Sequence, residues 1–123
     1  MKYLCLVYSE EAKLEGFADE ECVAYDEGLR QSGHCLASEA LQPVATATTV
    51  RLRNGQLSVT DGPFAETKEQ LAGFYLIEAR DLNEAMQLAG RIPPVRIGSI
   101  EVRPIRELEG RRRDPGALRT GRA

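Results

Sequence analysis

Asp61-Gly62-Pro63-Phe64-Ala65-Glu66-Thr67-Lys68-Glu69-Gln70 lies near the middle of the chain, between two strand-like runs. A residue that precedes proline is pushed out of the helical region, and glycine tolerates the restriction without steric cost. Pro63 fixes its own φ and removes a backbone donor. The stretch therefore reads as an ordered turn rather than a linker. Asp61 is placed to accept hydrogen bonds from nearby amides, as Asx turns do. Phe64 is expected to anchor the turn in the core, and Glu66, Lys68 and Glu69 form a dense charged cluster ahead of the next strand.

The run on the N-terminal side is Thr48 to Thr60. Val50 and Leu52 alternate with Arg51 and Arg53, then Asn54-Gly55, then Leu57 and Val59 alternate with Ser58 and Thr60. Asn-Gly between alternating runs predicts a type I′ hairpin, because both turn residues accept positive φ. One face is aliphatic; the other carries Arg51, Arg53, Ser58 and Thr60. On the C-terminal side, Leu71 to Ala79 predicts a buried strand holding Phe74, Leu76 and Ile77.

Further out, residues 2–8 read as a strand that is apolar on both faces, Tyr3/Cys5/Val7 and Leu4/Leu6/Tyr8, and so central and covered on both sides. Asp19 to Gln31 is helical in pattern. Ala18, Cys22, Tyr25 and Leu29 fall on one face with acids opposite, Asp19 is the expected N-cap and Gly33 the stop. His34 to Glu39 is a short strand before the break at Gln42-Pro43. Asp81-Leu82-Asn83-Glu84 fits a capping box. The helix it opens runs to about Arg91, with Leu82, Ala85, Met86 and Ala89 inward, and Pro93-Pro94 ends it. Ser99 to Ile105 is the last strand.

The order is β-α-β, hairpin, β-α-β. Without the hairpin it is an α+β, ferredoxin-like β-α-β-β-α-β plan on an antiparallel sheet. Two helices cover one sheet face. A second copy is the economical cover for the other, which predicts a homodimer through sheet-to-sheet packing.

The 123 residues fit one domain, and 42% are apolar. No run approaches a membrane span, and the apolar N-terminus is too short for a secretion signal, so the expected location is the cytoplasm. Cys5, Cys22 and Cys35 have no CxxC spacing and are expected to be free thiols. The net charge is −3, which argues against broad nucleic-acid binding. Residues 107–123 hold five Arg against three acids, a net +2 that leaves −5 on the first 106. That tail, with Arg111-Arg112-Arg113, reads as solvated or as a contact for an acidic partner.

The run from Asp61 to Ala79, together with Glu39-Ala40-Leu41-Gln42-Pro43, Thr48-Thr49-Val50-Arg51 and Arg91-Ile92-Pro93, resembles the DGPF branch of the YCII-related domain family. The resemblance covers about residues 1–106 and implies a dimeric α+β barrel, with the tail as a separate segment. Some relatives carry a His on the first helix and an Asp after the second strand, proposed as a catalytic pair. The matching helix position here is near Cys22, with Tyr25 one turn on, and no Asp lies between Gly33 and Thr60. The resemblance therefore does not carry that pair over. DGPF genes often neighbour those of extracytoplasmic-function sigma factors, which implies a regulatory setting.

Asp61 is the candidate catalytic residue, read either as a cleft carboxylate near Arg51 or Lys68 or as a turn-stabilising aspartate. Glu66 and Lys68 flank the same cleft or form a solvated ion pair. Tyr8, Tyr25 and Tyr75 are candidates to place hydroxyls in a ligand cavity, and Cys22 and Tyr25 to line a pocket between helix and sheet, each against a plain core role. Arg51 and Arg53 can grip an anion or sit on a solvated face. His34 follows Gly33 and reads as exposed and idle. The three cysteines read as buried apolar side chains. No cofactor or metal site is expected, because GxGxxG, P-loop, GxSxG, HExxH and Cys/His clusters are all missing. The two functional expectations are a small polar ligand bound in a helix–sheet cleft, with cofactor-free acid–base or lyase-type chemistry, and a non-catalytic partner of a sigma factor.

Overall fold

Strand β1 (Lys2–Ser9) runs through the middle of the molecule, and its alternation sets the two faces of the sheet. The computed structural model describes residues 1–110; the arginines of the tail, from Arg111 on, lie outside the described residues. After β1 come a one-turn helix α1 (Glu11–Leu14), helix α2 (Asp19–Gln31) and strand β2 (Cys35–Ala40). The hairpin strands β3 (Thr48–Arg53) and β4 (Gln56–Asp61) follow, then β5 (Gln70–Glu78), α3 (Leu82–Ala89) and β6 (Gly98–Pro104). The β-α-β, hairpin, β-α-β order is as the patterns predict; α1 is an addition that four residues could not announce.

β2, β5, β1 and β6 form one four-stranded sheet in that order, with every neighbouring pair antiparallel. Tyr3, Cys5 and Val7 of β1 and Tyr75 and Ile77 of β5 point to one face. There they meet Leu29 of α2, Ala85, Leu88 and Ala89 of α3, and Ile92. This is the core. On the opposite face Leu4 lies beside Leu76 and Leu6 beside Phe74. All four are only half-buried.

The ends of α2 follow from local chemistry. Gly33 takes φ +84°, its N–H donates to the Arg30 carbonyl at 3.1 Å, and the His34 N–H donates to the Leu29 carbonyl at 3.0 Å. This pair of bonds is a Schellman closure. At the other end the cap position falls to Ala18, without a side-chain cap, and Asp19 is the first helical residue. Asp19, Glu20 and Glu21 together complement the helix N-terminus electrostatically, which replaces the single cap expected of Asp19. For α3 the cap is as expected: Asp81 Oδ1 accepts from the Glu84 N–H at 2.9 Å. The return bond differs by one residue, since Glu84 Oε1 accepts from the Arg80 amide at 2.8 Å.

The buried stripe of α3 is Ala85, Leu88 and Ala89, while Leu82 and Met86 are exposed. The helix is thus rotated from the expected Leu82/Met86 orientation, and Leu88 supplies the bulk facing the sheet.

The hairpin stands as its own two-stranded sheet. Asn54 (φ +51°) and Gly55 (φ +75°) both take positive φ, and Val50 pairs with Val59 and Leu52 with Leu57. These four aliphatic side chains are 58–67% exposed. Phe64 is 79% exposed and does not anchor the turn in the core. The hairpin that leads into the turn is a separate sheet, and Phe64 has no place in the core cluster. Gly62 takes φ +105°, donates its N–H to the Ala47 carbonyl at 2.7 Å and accepts from Thr49 Oγ1 at 2.8 Å.

Candidate functional site

Along α2, Asp19, Cys22, Val23, Asp26 and Glu27 recur at i, i+3, i+4, i+7 and i+8, which puts them on one helical face. That face looks across to the ends of β2 and β5 over a cavity of about 440 Å³. Phe17 and Leu14 close it from the α1 side, and Ile92 and Pro94 from the segment after α3. Ser38, Glu39 and Tyr75 complete the polar part of its wall.

Asp26 is the hub. Its Oδ1 accepts from Ser38 Oγ at 2.5 Å and from Cys35 Sγ at 3.5 Å. Its Oδ2 accepts from Arg30 Nε at 2.9 Å, and Arg30 Nη2 also donates to Ser38 Oγ at 3.1 Å. Partial burial works against its charge, but the hydrogen bonds from Ser38 and Arg30 outweigh it and hold the carboxyl below the usual aspartate range. The side chain keeps 26% exposure. A carboxylate oxygen has two lone pairs, so Oδ2 retains acceptor capacity.

Tyr75 is 8% exposed. Its ring meets Tyr25 edge-on at 6.1 Å. Tyr25 spends its hydroxyl on the Leu88 carbonyl at 2.5 Å; among the described residues the Tyr75 hydroxyl has no hydrogen-bond partner. Burial raises its pKa strongly, and the next contributions come from Cys22 and Asp26, both on the cavity wall. Burial likewise raises the Cys22 thiol, helped by Asp19 and Glu21 and opposed by Arg96. These three groups are thus moved outward from neutrality: the carboxyl stays ionised while the thiol and the phenol stay protonated.

The residues singled out from sequence fall elsewhere for the most part. Asp61 ends β4 opposite Thr48 and is exposed. It lies outside the wall of this cavity, and among the described residues its carboxylate accepts no amide; the turn is held by Gly62 and Thr49 instead. Arg51 is exposed and donates to the Phe64 carbonyl at 3.3 Å. Glu66 and Lys68 are exposed, and among the described residues no ion pair joins them. The loop is ordered by its neighbours, with Thr67 Oγ1 donating to the Glu69 carbonyl at 2.6 Å and Gln70 Nε2 to the Thr67 carbonyl at 2.7 Å. Tyr8 is half-buried on the sheet face away from the helices.

Tyr25 lines a second cavity of about 440 Å³ between α2 and α3, shared with His34, Glu84 and Arg91. His34 is half-buried rather than idle, with Nδ1 2.9 Å from the Glu78 carbonyl. Of the cysteines, Cys5 is buried, with its thiol pushed up to about 11 by desolvation, while Cys22 and Cys35 are only half-buried; all three are free. Asp26 and Ser38 were not among the sequence candidates, whereas Tyr75, a candidate beside Tyr8 and Tyr25, does line this cavity. The available signal was the 19/22/23/26/27 spacing, which mixes acids with apolar residues on one helical face.

The fold and this cleft define an α+β protein with a ligand-sized cavity beneath its helix layer. The model of the YCII-related domain matches residues 1–109, and the chain belongs to that family. It is also 37% identical over 114 residues to an uncharacterised protein of Rhizobium meliloti (strain 1021), covering 85% of this chain and 92% of that protein.

Proposed function

We propose that this protein binds a small polar ligand in the α2–sheet cavity. The observation that carries the reading is the pairing of an ionised Asp26 with a buried, unpartnered Tyr75 hydroxyl in the wall of a cavity of about 440 Å³. Ligand cavities typically span a few hundred to a thousand Å³, apolar in most of their lining with a few polar groups that fix orientation.

The run from Asp61 to Ala79 supports membership of the DGPF branch, and the strand order β2-β5-β1-β6 supports the ferredoxin-like plan. The half-buried Leu4, Leu6, Phe74 and Leu76, with the exposed aliphatic face of the hairpin, support a homodimer closed sheet to sheet. Asp61, Arg51, Glu66 and Lys68 remain on the hairpin side, away from the ligand in this reading.

Two compact aromatic probes of different charge, benzyl alcohol and benzylammonium, test the cavity by amide chemical-shift mapping. Shifts at Cys22, Asp26, Ala40 and Gly73 are expected from at least one probe, lost in a Val23→Trp variant that fills the mouth. Shifts from neither probe, or shifts only around Asp61, overturn the reading.

A further inference from the structure

The cavity is one-signed. Asp19, Asp26, Glu27 and Glu39 all contribute to its wall, and no Lys, Arg or His does. The nearest arginines are already engaged: Arg30 binds Asp26 and Ser38, while Arg96 holds both oxygens of Glu21 at 3.0 Å and lies 5.0 Å over the Phe17 ring. Carboxylates alone would only describe an acidic surface. The second, independent feature is Tyr75, more than nine-tenths buried, lining the cavity with a hydroxyl that bonds to nothing among the described residues. A buried hydroxyl without a partner is costly unless a ligand or water completes it. Among the described residues no three His, Cys, Asp or Glu converge as metal ligands, so a bare divalent ion does not fit.

Resting on the ligand-binding reading above, we infer that the cavity takes a small organic cation: a protonated amine carried on a compact apolar body. The ammonium donates to the free acceptor capacity of Asp26 Oδ2 and to the Tyr75 oxygen. The exposed Asp19, Glu27 and Glu39 add to this, because charges of one sign lining a cleft concentrate the opposite ion, most strongly at low ionic strength. The apolar body packs on Leu14, Val23, Phe17 and Ile92. An anionic ligand would meet Asp19, Glu27 and Glu39, with Arg30 and Arg96 already held by Asp26 and Glu21.

The test is calorimetric titration of the full chain at fixed ionic strength with benzylammonium, benzyl alcohol and benzoate. Benzylammonium is expected to bind about tenfold more tightly than benzyl alcohol, with benzoate undetected. In Asp26→Asn that preference is expected to fall at least fivefold. In Asp19→Asn/Glu27→Gln, which leaves the Ser38–Asp26–Arg30 bonds intact and keeps the inference testable if Asp26→Asn does not fold, it is expected to fall about threefold. Equal binding of alcohol and ammonium, or tighter binding of benzoate, overturns the cation inference and leaves the cavity reading standing. An ammonium preference unchanged in both variants also overturns it. Binding of none of the probes overturns both.

Discussion

Ser38 Oγ donates to Asp26 Oδ1 at 2.5 Å, joining edge strand β2 to the middle of α2 in the wall of the cavity. The bond is one of three to the same carboxylate, and it holds an outer strand that otherwise has only β5 as a sheet neighbour.

Removing the charge tests that role. The Asp26 pKa is lowered in the folded protein, so its stabilising contribution is complete above the ordinary aspartate value. It is lost as pH falls through the folded value, below about pH 4. Asp26→Asn is expected to cost about 1–2 kcal/mol at pH 7 and to flatten the decline of stability below pH 4. Urea unfolding midpoints from pH 2 to pH 7 check both; parallel curves for the two proteins would contradict the linkage.

Gly98 is fixed by a close approach. A Cβ there would lie 2.0 Å from the Tyr8 carbonyl oxygen and 3.0 Å from Ser9 Cβ, where β6 pairs with β1. Both obstacles belong to the central strand, so neither can swing away. Gly98→Ala is expected to destabilise the fold by about 2–3 kcal/mol. An unchanged thermal midpoint would show that the strands separate at no cost.

The hairpin pair Leu52/Leu57 is 63% and 67% exposed. If the aliphatic face is covered by a second copy, wild-type chain sediments at twice 13.6 kDa at micromolar concentration. Leu52→Glu/Leu57→Glu is expected to sediment as a monomer with its far-ultraviolet circular dichroism intact. A double variant that stays dimeric removes the hairpin from the interface, and a monomeric wild type removes the dimer.

Asp81 supplies the side-chain cap of α3. Asp81→Ala is expected to cost about 1 kcal/mol, because the Glu84 amide loses its acceptor. Asp81→Asn, which keeps an oxygen in place, is expected to recover most of it. Chemical denaturation of the three proteins reads the difference, and equal losses for Ala and Asn would assign the effect to charge instead.

Local signals carried as far as local physics reaches. Asn54-Gly55 states a turn with two positive φ values, Gly33 a left-handed helix end, and Asp81 a cap, since each requirement is met within a few residues. The same patterns leave rotation open. In α3 the stripes 82/85/86/89 and 85/88/89 share Ala85 and Ala89; a 3.6-residue period does not choose between them, and packing on the sheet selected Leu88. Phe64 shows the same limit: Gly62-Pro63 dictates a turn wherever it stands, while covering an aromatic needs a core beneath it.

What the chain determined by itself is therefore the order of its elements, the hairpin and its turn, and membership of its family, all written in short-range spacing and in the Asp61–Ala79 run. What only the tertiary structure decided is where chemistry gathers. Asp26 and Ser38 are twelve residues apart and Tyr75 lies far beyond both; periodicity set Asp26 among the solvated acids of α2. They meet because α2 lies along the β2–β5 edge, and the energetics of a buried hydroxyl and a hydrogen-bonded carboxylate exist only once that packing has removed the water.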